Sequence, residues 1–214
     1  NSGATLTLNP GRITLNGYDL TVNSNVAGTM NSSNMVAFDS NGGNFIRNFT
    51  TTGTYLLPVG SLSPLVYSPA QIVVNNGTSG AITTNLINYQ DLSSDYDSYL
   101  SRRWTITATG ISNYNITCTY ADGDINGTEA DLSGAKYDTE WVFYDPVNTA
   151  GNQFTINGLT SFSSFSAAAA KPKVTASASP TTVCSGGTVN LSASVEKGTP
   201  PYSWSWTSNP SGFT

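Results

Sequence analysis

Apolar residues recur at two spacings along this chain. Over residues 1–50, Leu6-Thr7-Leu8-Asn9, Ile13-Thr14-Leu15-Asn16 and Leu20-Thr21-Val22-Asn23 repeat an apolar–Thr–apolar–Asn unit at a heptad spacing. Pro10, Gly11 and Gly17 fall between the units and forbid a helical heptad, because proline removes a donor and clashes with the preceding turn. The spacing predicts short strands joined by tight turns, three of them making about one coil of a β-solenoid. Met35-Val36-Ala37-Phe38 and Phe45-Ile46-Arg47-Asn48-Phe49, split by the turn Asn41-Gly42-Gly43-Asn44, supply later strands. An antiparallel meander is the competing reading of the same residues.

From Thr51 to Ala168 the spacing lengthens. Tyr55-Leu56-Leu57-Pro58-Val59-Gly60 reads as a strand ending at proline, and Gln71-Ile72-Val73-Val74 as a strand closed by Asn75-Asn76-Gly77. Ala81–Thr84 and Leu86-Ile87 are weaker strands. Arg102–Thr107 and Tyr114–Tyr120 alternate large apolar with small polar residues, the mark of half-buried antiparallel strands in a central sheet. Lys136-Tyr137, Glu140–Tyr144, Gln153–Ile156 and Ser161–Phe165 continue the series. Strands at this spacing, with Gly, Asn and Pro between them, predict an antiparallel β-sandwich. Ala167 to Lys173, small and then basic with a proline, reads as a boundary. Beyond it, Val174–Ala178 and Val189–Val195 alternate, and Tyr202, Trp204 and Trp206 share one face of a further strand, as at the start of an immunoglobulin-like sandwich. On that reading the three aromatics are core residues and the domain is truncated. The fold expected is all-β, with a β-helix end or cap at 1–50, a sandwich at 51–168 and a truncated immunoglobulin-like domain at 169–214.

Composition narrows the chemistry. Only 10% of the 214 residues are charged, the formal net charge is -5, and eight Lys and Arg are scattered without forming a basic stripe. Nucleic acid, which is held by replacing phosphate counterions, is a poor partner for such a surface. No apolar run approaches the roughly 20 residues a spanning helix needs. Histidine is absent, which removes the commonest general base and zinc ligand and excludes Ser/His/Asp and Cys/His triads. Cys118 and Cys184 fall in different modules: Cys118 is expected as a buried strand residue, Cys184 as free or paired with a cysteine outside this sequence.

Two groups of carboxylates stand out. Asp122-Gly123-Asp124-Ile125-Asn126-Gly127 has the opening pattern of a calcium loop, and Asp122, Asp124, Asn126 and Glu129 are the candidate ligands of a calcium cofactor. The twelfth loop position is Ser133 where an EF-hand needs Glu, so the site is not of that type; a hairpin loop using these residues for their backbone tolerance is the alternative. Asp91, Asp95 and Asp97 form the second group, with glycosidase chemistry weighed against a solvated loop. Arg102 or Arg103 is expected over the Trp104 ring as a cation–π contact.

A resemblance follows from particular segments. Gly53–Gly60, Tyr67-Ser68-Pro69, Arg103–Ile106, Thr119–Asp124 with Glu129, Trp141 and Thr160–Phe165 resemble a module of large Bacteroidetes surface proteins. Val183–Leu191 and Gly198–Trp204 are similar to the PKD-like, immunoglobulin-fold repeats of the same class. The resemblance implies export by the type IX secretion route and a place in an extracellular or cell-surface adhesin of the gliding-motility kind. It implies a non-enzymatic stalk or adhesive segment, with surface glycans, other surface proteins and flanking domains of the parent chain as partners. The alternative is a carbohydrate-binding or accessory module of a secreted polysaccharide-degrading enzyme.

Overall fold

In the computed structural model the described residues are 5–23, 25–88, 96–170, 172–196 and 202–207. They are built from β-strands and two single-turn 3-10 segments. Six short strands open the chain: β1 (Leu6–Thr7), β2 (Ile13–Thr14), β3 (Leu20–Val22), β4 (Val26–Ala27), β5 (Val36–Phe38) and β6 (Phe45–Phe49). Next come β7 (Gly53–Leu57), β8 (Val59–Leu62), β9 (Leu65–Tyr67), β10 (Ala70–Gly77), β11 (Gly80–Asn88), β12 (Tyr99–Leu100) and β13 (Arg102–Ala108). Then follow β14 (Ile111–Thr119), β15 (Ile125–Asn126), β16 (Leu132–Tyr137), β17 (Trp141–Pro146), β18 (Gln153–Leu159) and β19 (Ser164–Ala169). The last two are β20 (Lys173–Ser179) and β21 (Asn190–Glu196).

The first strands pair in parallel, as an antiparallel meander would not. Leu6 faces Val26, Ile13 faces Val36, Leu20 faces Phe45, and Val36 faces Val59. Each winding of roughly 20–25 residues, a solenoid-like length, therefore lays its apolar positions over the previous ones. Leu8, Leu15 and Val22 are buried, with the threonines between them turned out. The asparagines of the repeat have a matching role. Asn41 Nδ2 donates to Asn16 Oδ1 (2.7 Å), the Asn44 amides donate to Asp19 Oδ1 (2.9 Å), and Asn48 Nδ2 donates to Asn23 Oδ1. Each of these pairs is 25 residues apart, so stacked amides tie one winding to the next. Gly43 permits the close approach: its φ is +97°, and a Cβ there would lie 2.4 Å from the Tyr18 carbonyl oxygen.

The windings run directly into the sandwich. β3 and β6 belong to the nine-stranded sheet that continues through β11, β13 and β19, and one hydrophobic core includes Leu8, Val36 and Phe45 together with Trp104, Ile116 and Phe165. The expected division at residue 50 is thus absent: residues 1 to 169 form one compact unit, and residues 170 to 214 a second. The opposing layer is the sheet β18-β14-β10-β7.

Here the central pair is corrected. β13 bonds to β11 and β19, β14 bonds to β10 and β18, and the two strands lie in different sheets. Alternation gives each strand one apolar face, and those faces meet across the sandwich instead of lying side by side. Pro58 ends β7, as its sequence suggests, and is also the corner to β8, which joins a different sheet. The Asn75–Gly77 turn is also displaced. β10 runs on to Gly77 with register shifts at Asn76, and the reversal falls at Thr78 and Ser79. The weak strands at 81–87 are one nine-residue strand, β11.

The alanine boundary needs a smaller correction. Ala167 and Ala168 are fully buried in β19, where Ala167 pairs with Gly134. Small side chains read as linker composition, yet here they let β16 and the sheet above it pack closely, since Gly134 already sits against Phe154. In the second unit β20 and β21 form a two-stranded antiparallel sheet. Trp204 (49% exposed) and Trp206 (52% exposed) are not core there, because the described residues of that unit hold no second sheet to cover them.

Candidate functional site

The four calcium candidates each have a hydrogen-bond partner of their own. Asp124 is buried, and Arg102, on β13, grips both of its oxygens: Nη2 donates to Oδ1 (2.7 Å) and Nε to Oδ2 (3.2 Å). The Ala121 backbone N–H adds a third bond to Oδ2 (3.1 Å). Asp122 is exposed and accepts from Asn152 Nδ2. Asn126 Nδ2 donates to the Asp124 carbonyl (3.3 Å), and Glu129 Oε1 accepts from the Tyr120 hydroxyl (2.8 Å). The four side chains thus serve separate partners, and among the described residues no three Cys, Asp or Glu gather into a metal-holding group.

What the acidic turn builds instead is a clamp. Arg102 Nη1 donates to Ser61 Oγ on β8 (2.9 Å), and Ser61 Oγ donates to the Pro64 carbonyl (2.7 Å). The Arg102 carbonyl accepts from Ser166 Oγ on β19 (2.8 Å). One buried arginine therefore ties four elements together: its guanidinium joins β13 to β8 and the 122–124 turn, and its backbone carbonyl to β19. A charge placed this deep persists only when paired and hydrogen-bonded, and Arg102 has a counter-charge and a partner for each of its three guanidinium nitrogens. Sequence reasoning offered Arg102 or Arg103 for the Trp104 ring; the planar fork of Arg102 goes to a carboxylate, which it matches better than a ring. A cation–π contact does occur in this unit, with Arg47 5.1 Å from the Tyr55 ring centre. Of the second acidic group, Asp97 is exposed, while Asp91 and Asp95 lie outside the described residues.

Buried phenols and a thiol surround the core. Burial pushes Tyr67 up to about 12 and raises Tyr114; Tyr120 is raised by burial and by its bond to Glu129. These groups are neutral in the fold, so their contribution to stability is complete below the ordinary tyrosine range near 10. It is lost as pH climbs through the raised values. An absorbance titration at 295 nm should show these phenols ionising late, above pH 11, together with loss of native circular dichroism. Cys118 is fully buried with its thiol pushed up by desolvation, whereas Cys184 is exposed; both are unpaired. A thiol reagent should label Cys184 rapidly and Cys118 only after denaturant is added.

Two surface features can meet a ligand. The first is an open cleft of about 560 Å³ lined by Phe38, Asp39, Ser63, Leu86 and Asn88 among others. Much of its polar lining is already engaged: Asn88 Nδ2 donates to Ser63 O (2.9 Å) and Asp39 Oδ1 accepts from Asn41 N (3.0 Å). The second is the β16–β17 hairpin. Tyr137 pairs with Trp141 and Ala135 with Phe143, so the three aromatic rings share one face. Tyr137 and Trp141 meet edge-to-face at 5.5 Å, and Tyr96 meets Phe143 at the same distance and in the same manner. Tyr137 is 43% exposed, with Asp138 and Glu140 exposed at the tip. Sequence reasoning singled out Trp141 but missed the row, which only the hairpin register assembles. Compared with known proteins, the chain matches no family model, no curated protein and no solved structure.

Proposed function

We propose that this chain is a non-enzymatic structural and adhesive segment of a large secreted cell-surface protein, of the type IX-exported Bacteroidetes kind that its motifs resemble. One observation carries most of the weight: a single sheet runs from the stacked windings (β3, β6) into the sandwich (β11, β13, β19), over one apolar core. Such a unit presents surfaces without a hinge between its parts. Three of the buried charged side chains serve the same end. Arg102 and Asp124 neutralise each other, and Lys136 is held by Asp138 and Ser161. They brace strands.

The aromatic face of the β16–β17 hairpin favours a second reading, a carbohydrate-binding module of a secreted polysaccharide-degrading enzyme. Sugar rings stack on exposed aromatic faces, and the carboxylates of Asp138 and Glu140 are suited to accept hydroxyl hydrogen bonds. A glycan array decides between the two. Reproducible binding that is lost in Trp141→Ala or Trp204→Ala selects the module; no glycan binding and no turnover of polysaccharides by the purified chain leaves the structural segment standing.

A further inference from the structure

We infer that the β1–β2–β3 end of the first unit is a coil-accepting surface, built to stack one more parallel winding of the same apolar–Thr–apolar–Asn pattern. This rests on the architectural reading above for its purpose, and on backbone geometry for its argument. The N–H groups of Leu6, Leu8, Ile13, Leu15 and Leu20 all bond to the second winding. In a parallel strand, alternate residues turn both N–H and C=O to opposite neighbours, so those of Thr7, Thr14 and Thr21 face the other way. On that side the described residues supply no strand: β1 pairs only with β4, β2 with β5 and β3 with β6.

Three further features point to a parallel winding as the occupant. The apolar column is unfinished at this end. Val36 and Phe45 are wholly buried in the second winding, while Ile13 and Leu20, stacked on them, are half-exposed, as is Leu6. The amide ladder is likewise open-ended, since Asn16, Asp19 and Asn23 each use a side-chain oxygen toward the next winding and are exposed at the first. Finally, the strands of this edge carry neither lysine nor proline, two of the devices that block a strand edge. A winding laid in parallel would bury Leu6, Ile13 and Leu20 and bond the three threonine backbones in the register already established.

The test lengthens the whole chain by a copy of residues 6–25 placed before Leu6. Stacking predicts a monomer that melts about 5 °C higher, as each added repeat contributes an interface. Exchange of the Thr7, Thr14 and Thr21 amides should slow by at least about tenfold. A control copy carrying Lys in place of Leu6, Ile13 and Leu20 should give neither change. An unchanged or lowered melting temperature, or fast exchange at the three threonines, overturns the inference. So does light scattering that shows the original chain as a dimer broken by Thr14→Pro, since a second copy would then be the occupant. None of these results touches the glycan and turnover measurements, so a failed coil and a failed structural reading remain distinguishable.

Discussion

Replacing Arg102 with alanine should lower the melting temperature of the first unit by about 10 °C or more. The change strands the Asp124 carboxylate in an apolar interior, a loss of about 3–5 kcal/mol for a broken buried pair. For a chain of this size each kcal/mol moves the midpoint by about 2–4 °C. Ser61 and the 122–124 turn lose their common anchor in the same step. Asp124→Ala should be as damaging, since it leaves the guanidinium unpaired. The double variant Arg102→Met/Asp124→Leu should recover much of the loss, because neither charge is then buried. Calcium in the buffer should leave all three midpoints in the same order. If instead millimolar calcium stabilised the parent and not Asp124→Ala, the carboxylate would be a ligand and not a counter-ion.

Trp104→Ala should be nearly as costly, about 3–5 kcal/mol, the usual range for emptying a large aromatic site. Trp104 is fully buried, meets Phe154 of the opposing sheet edge-to-face at 5.8 Å, and donates its indole N–H to the Ser68 carbonyl at 2.9 Å. Trp104→Phe separates these parts. It keeps most of the packing and leaves the Ser68 carbonyl without its donor, a loss of about 1–3 kcal/mol. Urea midpoints measure the difference. Fluorescence gives an independent check: Trp204 and Trp206 are half-exposed, so removing Trp104 should shift the folded protein's emission to the red.

How much of this was legible beforehand depends on the length scale of the signal. Period-two alternation located β13 and β14, and the seven-residue spacing located β1, β2 and β3, because both are written in neighbouring residues. Arg102–Thr107 and Tyr114–Tyr120 carry identical alternation whether they bond to each other or face each other, and the Thr109-Gly110 corner does not say which. The clamp was invisible for a related reason. Arg102 and Asp124 are 22 residues apart, and nothing local marks an arginine whose partner lies in another loop. The acidic turn was noticed for its spacing, yet spacing cannot reveal that one carboxylate points inward. The Tyr137–Trp141–Phe143 face needed the hairpin register, which a bulge between Ser133 and Ala135 alters.

The way β19 leaves the first unit has a mechanical corollary. Its final residue, Ala169, still donates its backbone N–H to the Ser98 carbonyl at 2.8 Å, and the strand lies between β16 on one flank and β12 with β13 on the other. Tension applied along β19 loads both rows of rungs at once instead of peeling them one by one. Shear of that kind yields only when many bonds break together, so the junction should withstand traction far better than the modest size of the strand suggests.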